Sequence, residues 1–236
     1  MIRLLVSVRS VDEALAAAAG GADFIDLKEP GRGALGGLPV ATILEIVEAL
    51  RRRGSQLPVS ATIGDLAMHD LPAIQAQVHA VGECGVDYVK VGIERRAEAA
   101  PVLSWLAHCG RPVVPVFIAD RGIEATLVAH ALQLGFPGLM ADTADKRAGS
   151  LFDVMDPHAL KAFVEPVRAR GVMVGLAGAL RLQHLPALAA LAPDFAGFRS
   201  AVCAGERSAA LEPTLLHGLV AALRAAQPTP TAALRA

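Results

Sequence analysis

The chain has 236 residues, of which 53% are hydrophobic, and its formal net charge at pH 7 is −1. This size and composition can bury a large core, so one domain over residues 1–226 with a flexible carboxyl-terminal tail over 227–236 is expected. The near-neutral charge, one Trp and one Tyr exclude the cationic, aromatic surface that nucleic-acid binding requires.

The first half of the chain alternates short apolar runs with helical patterns. The apolar runs are typical of strands, and apolar residues that recur every three to four positions are typical of helices. The predicted elements are, in order, a strand over 2–8, a helix over 11–18 with Ser10 as its N-cap, a strand within 23–30 that ends at Lys28, a helix over 40–52, a strand over 58–65, a helix over about 70–83 and a strand over 88–92.

The second half keeps the same alternation. The predicted elements are a helix over 95–108, a strand over 113–120, a helix over 122–134, a strand over 138–142, a polar loop over 143–150, a helix over 156–169, a strand over 172–177, a helix over 181–191, a strand over 195–199 and a last helix over about 207–225. Eight strand–helix units with short connections predict an α/β fold, a single-domain (β/α)8 TIM barrel. An open, doubly wound sheet is the alternative.

Two of the predicted strands carry charges that a buried strand should not have. Asp26 and Lys28 lie two residues apart, so they face the same side, with Lys28 at the strand's carboxyl end. Lys90 interrupts the apolar strand over 88–92 in the same way. Only four of the 22 basic residues are lysines, which favours amine chemistry where a lysine is kept.

Reactive residues of such barrels lie at the carboxyl ends of the strands, where this chain places a set of charges. The set consists of Asp26, Lys28, Asp65, Lys90, Asp120, Asp142, Lys146 and Arg199. A structural interpretation pairs Asp26 with Lys28 in a salt bridge. A functional interpretation makes Lys28 a nucleophile, with Lys90 as a neighbouring cation that favours the free amine and as a general acid or base. Asp26 would then shuttle protons or hold a lysine.

Two glycine-containing loops suggest a site for phosphate. They follow the seventh and eighth strands, where barrels often bind phosphate through backbone N–H groups. The candidate binding residues are Gly178, Ala179, Gly197, Arg199 and Ser200, and the predicted ligand is a phosphorylated small molecule.

Nothing in the sequence indicates a metal, a cofactor or a membrane segment. The three cysteines form no CxxC pair, no two histidines are spaced at i and i+4, and the two lysines argue against Mg²⁺ at the aspartates. The apolar amino terminus is too short for a signal peptide, and no run of about 18 apolar residues occurs. We therefore expect a cytoplasmic protein, and its Ala- and Leu-rich helices favour a homo-oligomer.

Several segments resemble the (5-formylfuran-3-yl)methyl phosphate synthases, also called 4-(hydroxymethyl)-2-furancarboxaldehyde-phosphate synthases. The similar segments are residues 5–8, 20–30, 60–65, 87–92, 151–153 and 176–178. The resemblance implies a (β/α)8 barrel without an organic cofactor, a carbon–oxygen lyase that condenses two glyceraldehyde 3-phosphates with loss of phosphate and water. Its product would serve methanofuran-type one-carbon metabolism.

The resemblance also implies residue roles. Lys28 would form a Schiff base, Lys90 would abstract a proton, and residues 142–146 resemble a loop in which Asp142 and a further active-site lysine, Lys146, belong to the catalytic group. Because one phosphate would leave while the other stays, two anion sites are needed: we expect the retained phosphate at the loops after the seventh and eighth strands and the departing one at Arg32 or Lys146. Asp65, from the charged set at the strand ends, is a further substrate-binding candidate. The alternatives are a class I aldolase or sugar-phosphate isomerase on the same barrel, and a non-catalytic phosphate-binding barrel.

Overall fold

Eight parallel strands form a closed barrel in the computed structural model, which describes residues 1–145 and 148–226. Each strand pairs with its neighbours in sequence, and the eighth closes against the first. The strands are β1 Arg3–Val8, β2 Phe24–Leu27, β3 Val59–Thr62, β4 Tyr88–Ile93, β5 Val113–Ile118, β6 Gly138–Asp142, β7 Met173–Leu176 and β8 Phe195–Phe198. The single (β/α)8 barrel predicted from the sequence is confirmed.

Helices follow the strands and surround the barrel. They are α1 Val11–Ala19, α2 Val40–Arg52, α3 Leu71–Gly82, α4 Ala99–His108, α5 Ala125–Leu134, α6 Leu151–Val154, α7 Pro157–Ala169, α8 Leu185–Leu191 and α9 Pro213–Ala225. Ser10 caps α1, as expected, by accepting a hydrogen bond from the Glu13 amide. In the described ranges, no helix is both long enough and apolar enough to cross a bilayer.

The structure moves several predicted boundaries. β5 ends at Ile118, and Asp120 lies in a 3₁₀ turn rather than in the strand. The last helix begins at Pro213 and not near residue 207, so a loop of about a dozen residues follows β8. The short helix α6 lies directly after the loop predicted over 143–150; it was not predicted.

Apolar side chains fill the lower part of the barrel interior. Phe24 and Phe195 contact each other at a tilt, with ring centroids 5.5 Å apart, and Val114, Val116 and Met140 belong to the same apolar cluster. The larger core lies between the strands and the outer helices. The buried charges Asp26, Lys28, Lys90 and Asp142 lie above the apolar cluster of the barrel interior, toward the carboxyl ends of the strands.

We predict that Gly175→Ala destabilises the barrel by about 1–3 kcal/mol, because the added methyl group would overlap the ring of Phe195 in a closely packed interior. Urea unfolding measures the effect. Gly218→Ala is the matched control: this exposed glycine of α9 has no atom in the way, so alanine should stabilise the helix by about 0.5–1 kcal/mol. Adding Phe195→Leu should relieve part of the loss, and an unchanged loss would contradict the assigned clash.

Candidate active site

A cavity opens at the carboxyl ends of the strands. Its lining includes Lys28, Asp26 and Asp142, together with residues 177–179 and 197–200 of the loops after β7 and β8. The charged residues predicted at the second, fourth and sixth strands thus meet at the mouth of the barrel, beside the loops predicted to bind phosphate.

Asp26 holds Lys90 deep in the mouth of the barrel. The Lys90 Nζ donates to Asp26 Oδ1 at 2.8 Å, and the hydroxyls of Ser60 and Ser7 donate to the same carboxylate at 2.6 and 3.0 Å. Asp26 lies beside Ser7 and Ser60 in the strand register. The two serines were not predicted, although the alternation of inward positions along β1 and β3 would have placed them beside Asp26.

Lys28 pairs with a carboxylate on the far side of the barrel. Its Nζ donates to Asp142 Oδ2 at 3.2 Å, and Asp142 Oδ1 accepts a hydrogen bond from the Thr143 amide at 2.8 Å. The salt bridge between Asp26 and Lys28 that the sequence suggested as a structural interpretation is therefore not formed; each residue has another partner of opposite charge.

The four charges lie almost out of contact with solvent. Lys28 is 7% exposed, Lys90 3%, and Asp26 and Asp142 2% each. Burial raises the pKa of Asp26, but the Lys90 and Lys28 cations and the hydrogen bonds from Lys90 and Ser60 outweigh it, so the pKa lies below its usual value. Asp26 is therefore ionised at neutral pH.

The two predicted phosphate loops present unpaired backbone donors to the cavity. The amides of Gly178, Ala179 and Ser200 donate hydrogen bonds to none of the described residues. Ala179 has φ +46°, a conformation that is unfavourable for a residue with a side chain by about 1–2 kcal/mol. Such strain is typical of functional loops, and the free amides fit an anionic ligand.

Arg199 lines this cavity, as predicted, but its guanidinium is already paired with a carboxylate. Its guanidinium donates to both carboxylate oxygens of Glu13, at 2.6 and 3.0 Å, and to the carbonyls of Ser7, Arg207 and Ala209. All five guanidinium N–H groups are occupied. The ion pair of Glu13 and Arg199 therefore stabilises the conformation of the loop that follows β8.

The remaining candidates are not brought together with the lysines. Arg32 lines a separate cavity on the outer side of the loop between β2 and α2. Asp65 accepts a hydrogen bond from the Leu35 amide at 3.0 Å and holds that loop. Asp120 similarly accepts from the amides of Ala144 and Asp145. Lys146 lies outside the described residues.

Arg207 was missed by the sequence analysis. It belongs to the loop between β8 and α9, and its side chain lines the same cavity as Lys28 and Asp142. A basic residue in the loop after the eighth strand could have indicated a phosphate ligand, but the sequence analysis assigned residue 207 to a helix.

Among the described residues, no cluster of three or more His, Cys, Asp or Glu side chains fits a metal ion.

Comparisons with known proteins give a consistent result. A family model described as 4-HFC-P synthase matches residues 4–220. A (5-formylfuran-3-yl)methyl phosphate synthase of Methanosarcina acetivorans is 34% identical over 234 residues, covering 93% of this chain and 98% of that protein. A Methylorubrum extorquens protein provisionally given the same name is 40% identical over 224 residues, covering 94% and 92%.

Solved structures resemble the chain in fold. A thiamine phosphate pyrophosphorylase from Pyrococcus furiosus superposes with a TM-score of 0.65 at 16% identity, covering 96% of this chain and 98% of that one. At this identity the similarity concerns the barrel and not its chemistry.

Proposed function

The chain belongs to the (5-formylfuran-3-yl)methyl phosphate synthase family, and we propose that it condenses two molecules of glyceraldehyde 3-phosphate into that furan phosphate, with loss of one phosphate and water. This assignment makes the protein a lyase that supplies a furan precursor for methanofuran-type one-carbon carriers.

The observation that carries the proposal is the position of Lys28. The residue is 7% exposed and lines a cavity, and among the described residues its amine pairs with one carboxylate, that of Asp142. A buried lysine facing a ligand cavity is the arrangement that imine-forming enzymes use. A purely structural ion pair would not require an adjoining cavity with free backbone donors.

The first half-reaction is imine formation. Asp142 accepts the hydrogen bond of Lys28 Nζ and is placed to take its proton, which leaves a neutral amine. The amine adds to the aldehyde of the first triose to give a carbinolamine. Return of the proton from Asp142 to the carbinolamine hydroxyl releases water and leaves a protonated imine on Lys28, so that protons and charge balance.

Lys90 acts on the carbon next to the imine. Acting as the general base, its amine nitrogen takes up a proton from that carbon and so produces an enamine. The depressed pKa of Asp26 keeps that carboxylate ionised, so of the two roles considered for Asp26 we favour orienting Lys90 over carrying the proton. The enamine carbon then attacks the aldehyde of the second triose, loss of phosphate and water forms the aromatic ring, and hydrolysis of the imine by water releases the furan aldehyde and regenerates the Lys28 amine.

The phosphate that stays in the product needs an anchor during these steps. The unpaired amides of Gly178, Ala179 and Ser200 support a site in the loops after β7 and β8, in the cavity that Lys28 also lines. Backbone donors fixed in this way bind the oxygens of a phosphate without side-chain rearrangement.

Incubation with glyceraldehyde 3-phosphate tests the proposal. We expect a new furan absorbance and the release of one inorganic phosphate for each furan formed, because aromatisation makes the last steps irreversible. Mass spectrometry identifies the product, and phosphate is measured in the same sample.

The alternatives predict different results. Reversible formation of sugar phosphates without phosphate release would instead support an aldolase or isomerase. Tight phosphate binding without any conversion, and without a borohydride-stable adduct on Lys28, would support a binding protein. Either result would overturn the synthase assignment.

A further inference from the structure

Arg207 reaches across the mouth of the cavity from the loop between β8 and α9. Its Nη2 donates to the Gly33 carbonyl, in the loop after β2, at 3.3 Å, and its side chain lines the cavity with Lys28 and Gly178. In the part of the chain that the structure describes, it forms no ion pair. An arginine stays protonated at neutral pH, so its charge is available to a ligand.

The neighbouring carboxylates do not neutralise Arg207 by direct contact. Asp142 pairs with Lys28, Asp65 accepts from the Leu35 amide, and Glu29 accepts from the Gly31 amide. Burial lowers the pKa of Arg207 and nearby Arg199 adds to this, whereas these three carboxylates act in the opposite direction. An anion in the cavity would supply the partner that the half-buried guanidinium lacks.

Glu13 and Arg199 hold Arg207 in this place through the backbone. Arg199 Nε donates to the Arg207 carbonyl at 2.9 Å and Nη2 to the Ala209 carbonyl at 2.6 Å. Glu13, which lies in α1, accepts from the Leu211 amide at 3.2 Å and binds Arg199 with both carboxylate oxygens. The buried ion pair thus holds the loop at Arg207 itself and at two positions that follow it, Ala209 and Leu211.

We propose that Arg207 binds the phosphate of the triose that reacts at Lys28, together with the free amides of Gly178 and Ala179 in the same cavity, and that Glu13 and Arg199 are its positioning residues. This inference rests on the proposed function for the identity of the ligand. The selection of a phosphorylated aldehyde over an unphosphorylated one then resides in one side chain and two backbone amides.

The test compares Arg207→Gln with the wild-type protein in two assays. Calorimetric titration with inorganic phosphate should show an affinity about 10- to 100-fold lower in the variant, the effect of one lost charge-assisted contact. Borohydride trapping on Lys28 should require correspondingly more glyceraldehyde 3-phosphate, while trapping of unphosphorylated glyceraldehyde should not change. Arg168→Gln, which removes an exposed arginine of α7, is the charge-matched control and should behave as wild type.

Unchanged phosphate affinity in Arg207→Gln would overturn the inference, and so would an equal loss in Arg168→Gln. The imine at Lys28 and the phosphate site at Arg207 are tested separately. Absence of trapping in the wild-type protein would refute the imine at Lys28, whereas the phosphate titration would still report on Arg207.

The positioning role of Arg199 is tested by the phosphate affinity of single and double variants. Arg199→Lys keeps the charge that faces Glu13 but lacks the donors to the Arg207 and Ala209 carbonyls, so phosphate affinity should fall. If Arg199 acts through Arg207, adding Arg199→Lys to Arg207→Gln should weaken phosphate binding no further. A full additional loss in the double variant would assign Arg199 a separate role.

Discussion

Replacing Lys28 with arginine is expected to lower turnover by about three orders of magnitude or more, because a guanidinium does not form an imine with an aldehyde. The fold should survive, since arginine keeps a positive charge facing the buried Asp142. Product formation from glyceraldehyde 3-phosphate measures the loss. Mass spectrometry after borohydride reduction should find the added mass of a triose phosphate at position 28 of the wild-type protein and none in the variant.

A second lysine provides the control for this experiment. Lys161 is exposed on α7 and pairs with Glu165 at 3.5 Å, so Lys161→Arg should retain full activity and should not be trapped. Turnover that persists in Lys28→Arg would rule out the covalent role. A trapped mass on Lys90 instead would show that the other buried lysine is the nucleophile.

The barrel was predictable because its signals are local. The bounds predicted for the helix over 40–52 and the strand over 138–142 are those of α2 and β6, since glycines and prolines interrupt a regular apolar pattern at their ends. The same reasoning failed over 207–212. There the side chains of Glu13 and Arg199 hold the chain in a loop, and contacts from elsewhere in the barrel are invisible to a local pattern.

The strand ends could be predicted to meet, but the ion pairs between them could not. Lys28 lies two residues from Asp26 in sequence, yet it bonds Asp142, which is 114 positions away. Strand alternation gives only the face of each side chain. Which carboxylate a lysine reaches depends on the height and tilt of each strand in the closed barrel, and these follow from the packing of the whole interior.

The roles of Arg199 and Arg207 were also not predictable, because they too depend on which partner each side chain reaches. Both residues follow the last strand and carry the same charge, but sequence reasoning placed only Arg199 in the loop after that strand and assigned residue 207 to a helix, so it chose Arg199 as the phosphate ligand. Their roles differ because Glu13 in α1 captures Arg199 completely. Burial of that carboxylate raises its pKa, but the hydrogen bonds and charge of Arg199 outweigh the burial, so the Glu13 pKa is lowered.

Replacing Lys90 with alanine is expected to leave imine formation at Lys28 intact and to stop the reaction before the furan forms. The reason is that proton removal from the carbon next to the imine has no base, while Lys28 and Asp142 still contact each other. Borohydride should therefore trap the triose on Lys28 as in the wild-type protein, with furan formation lowered by about 100-fold or more, as for loss of a general base.

Lys90→Ala is also expected to lower the stability of the protein, and a second substitution separates this loss of stability from the loss of furan formation. Lys90→Ala leaves Asp26 2% exposed without its closest cation, a loss that costs about 3–5 kcal/mol when a buried ion pair is broken on one side. Asp26→Asn in the same chain removes the uncompensated charge and keeps an amide that hydrogen-bonds Ser7 and Ser60. The double variant should therefore regain part of the free energy of unfolding, measured by urea denaturation, but none of the furan formation. Recovery of both together would mean that Lys90 serves only to neutralise Asp26, whereas recovery of stability alone makes Lys90 the base that the mechanism requires.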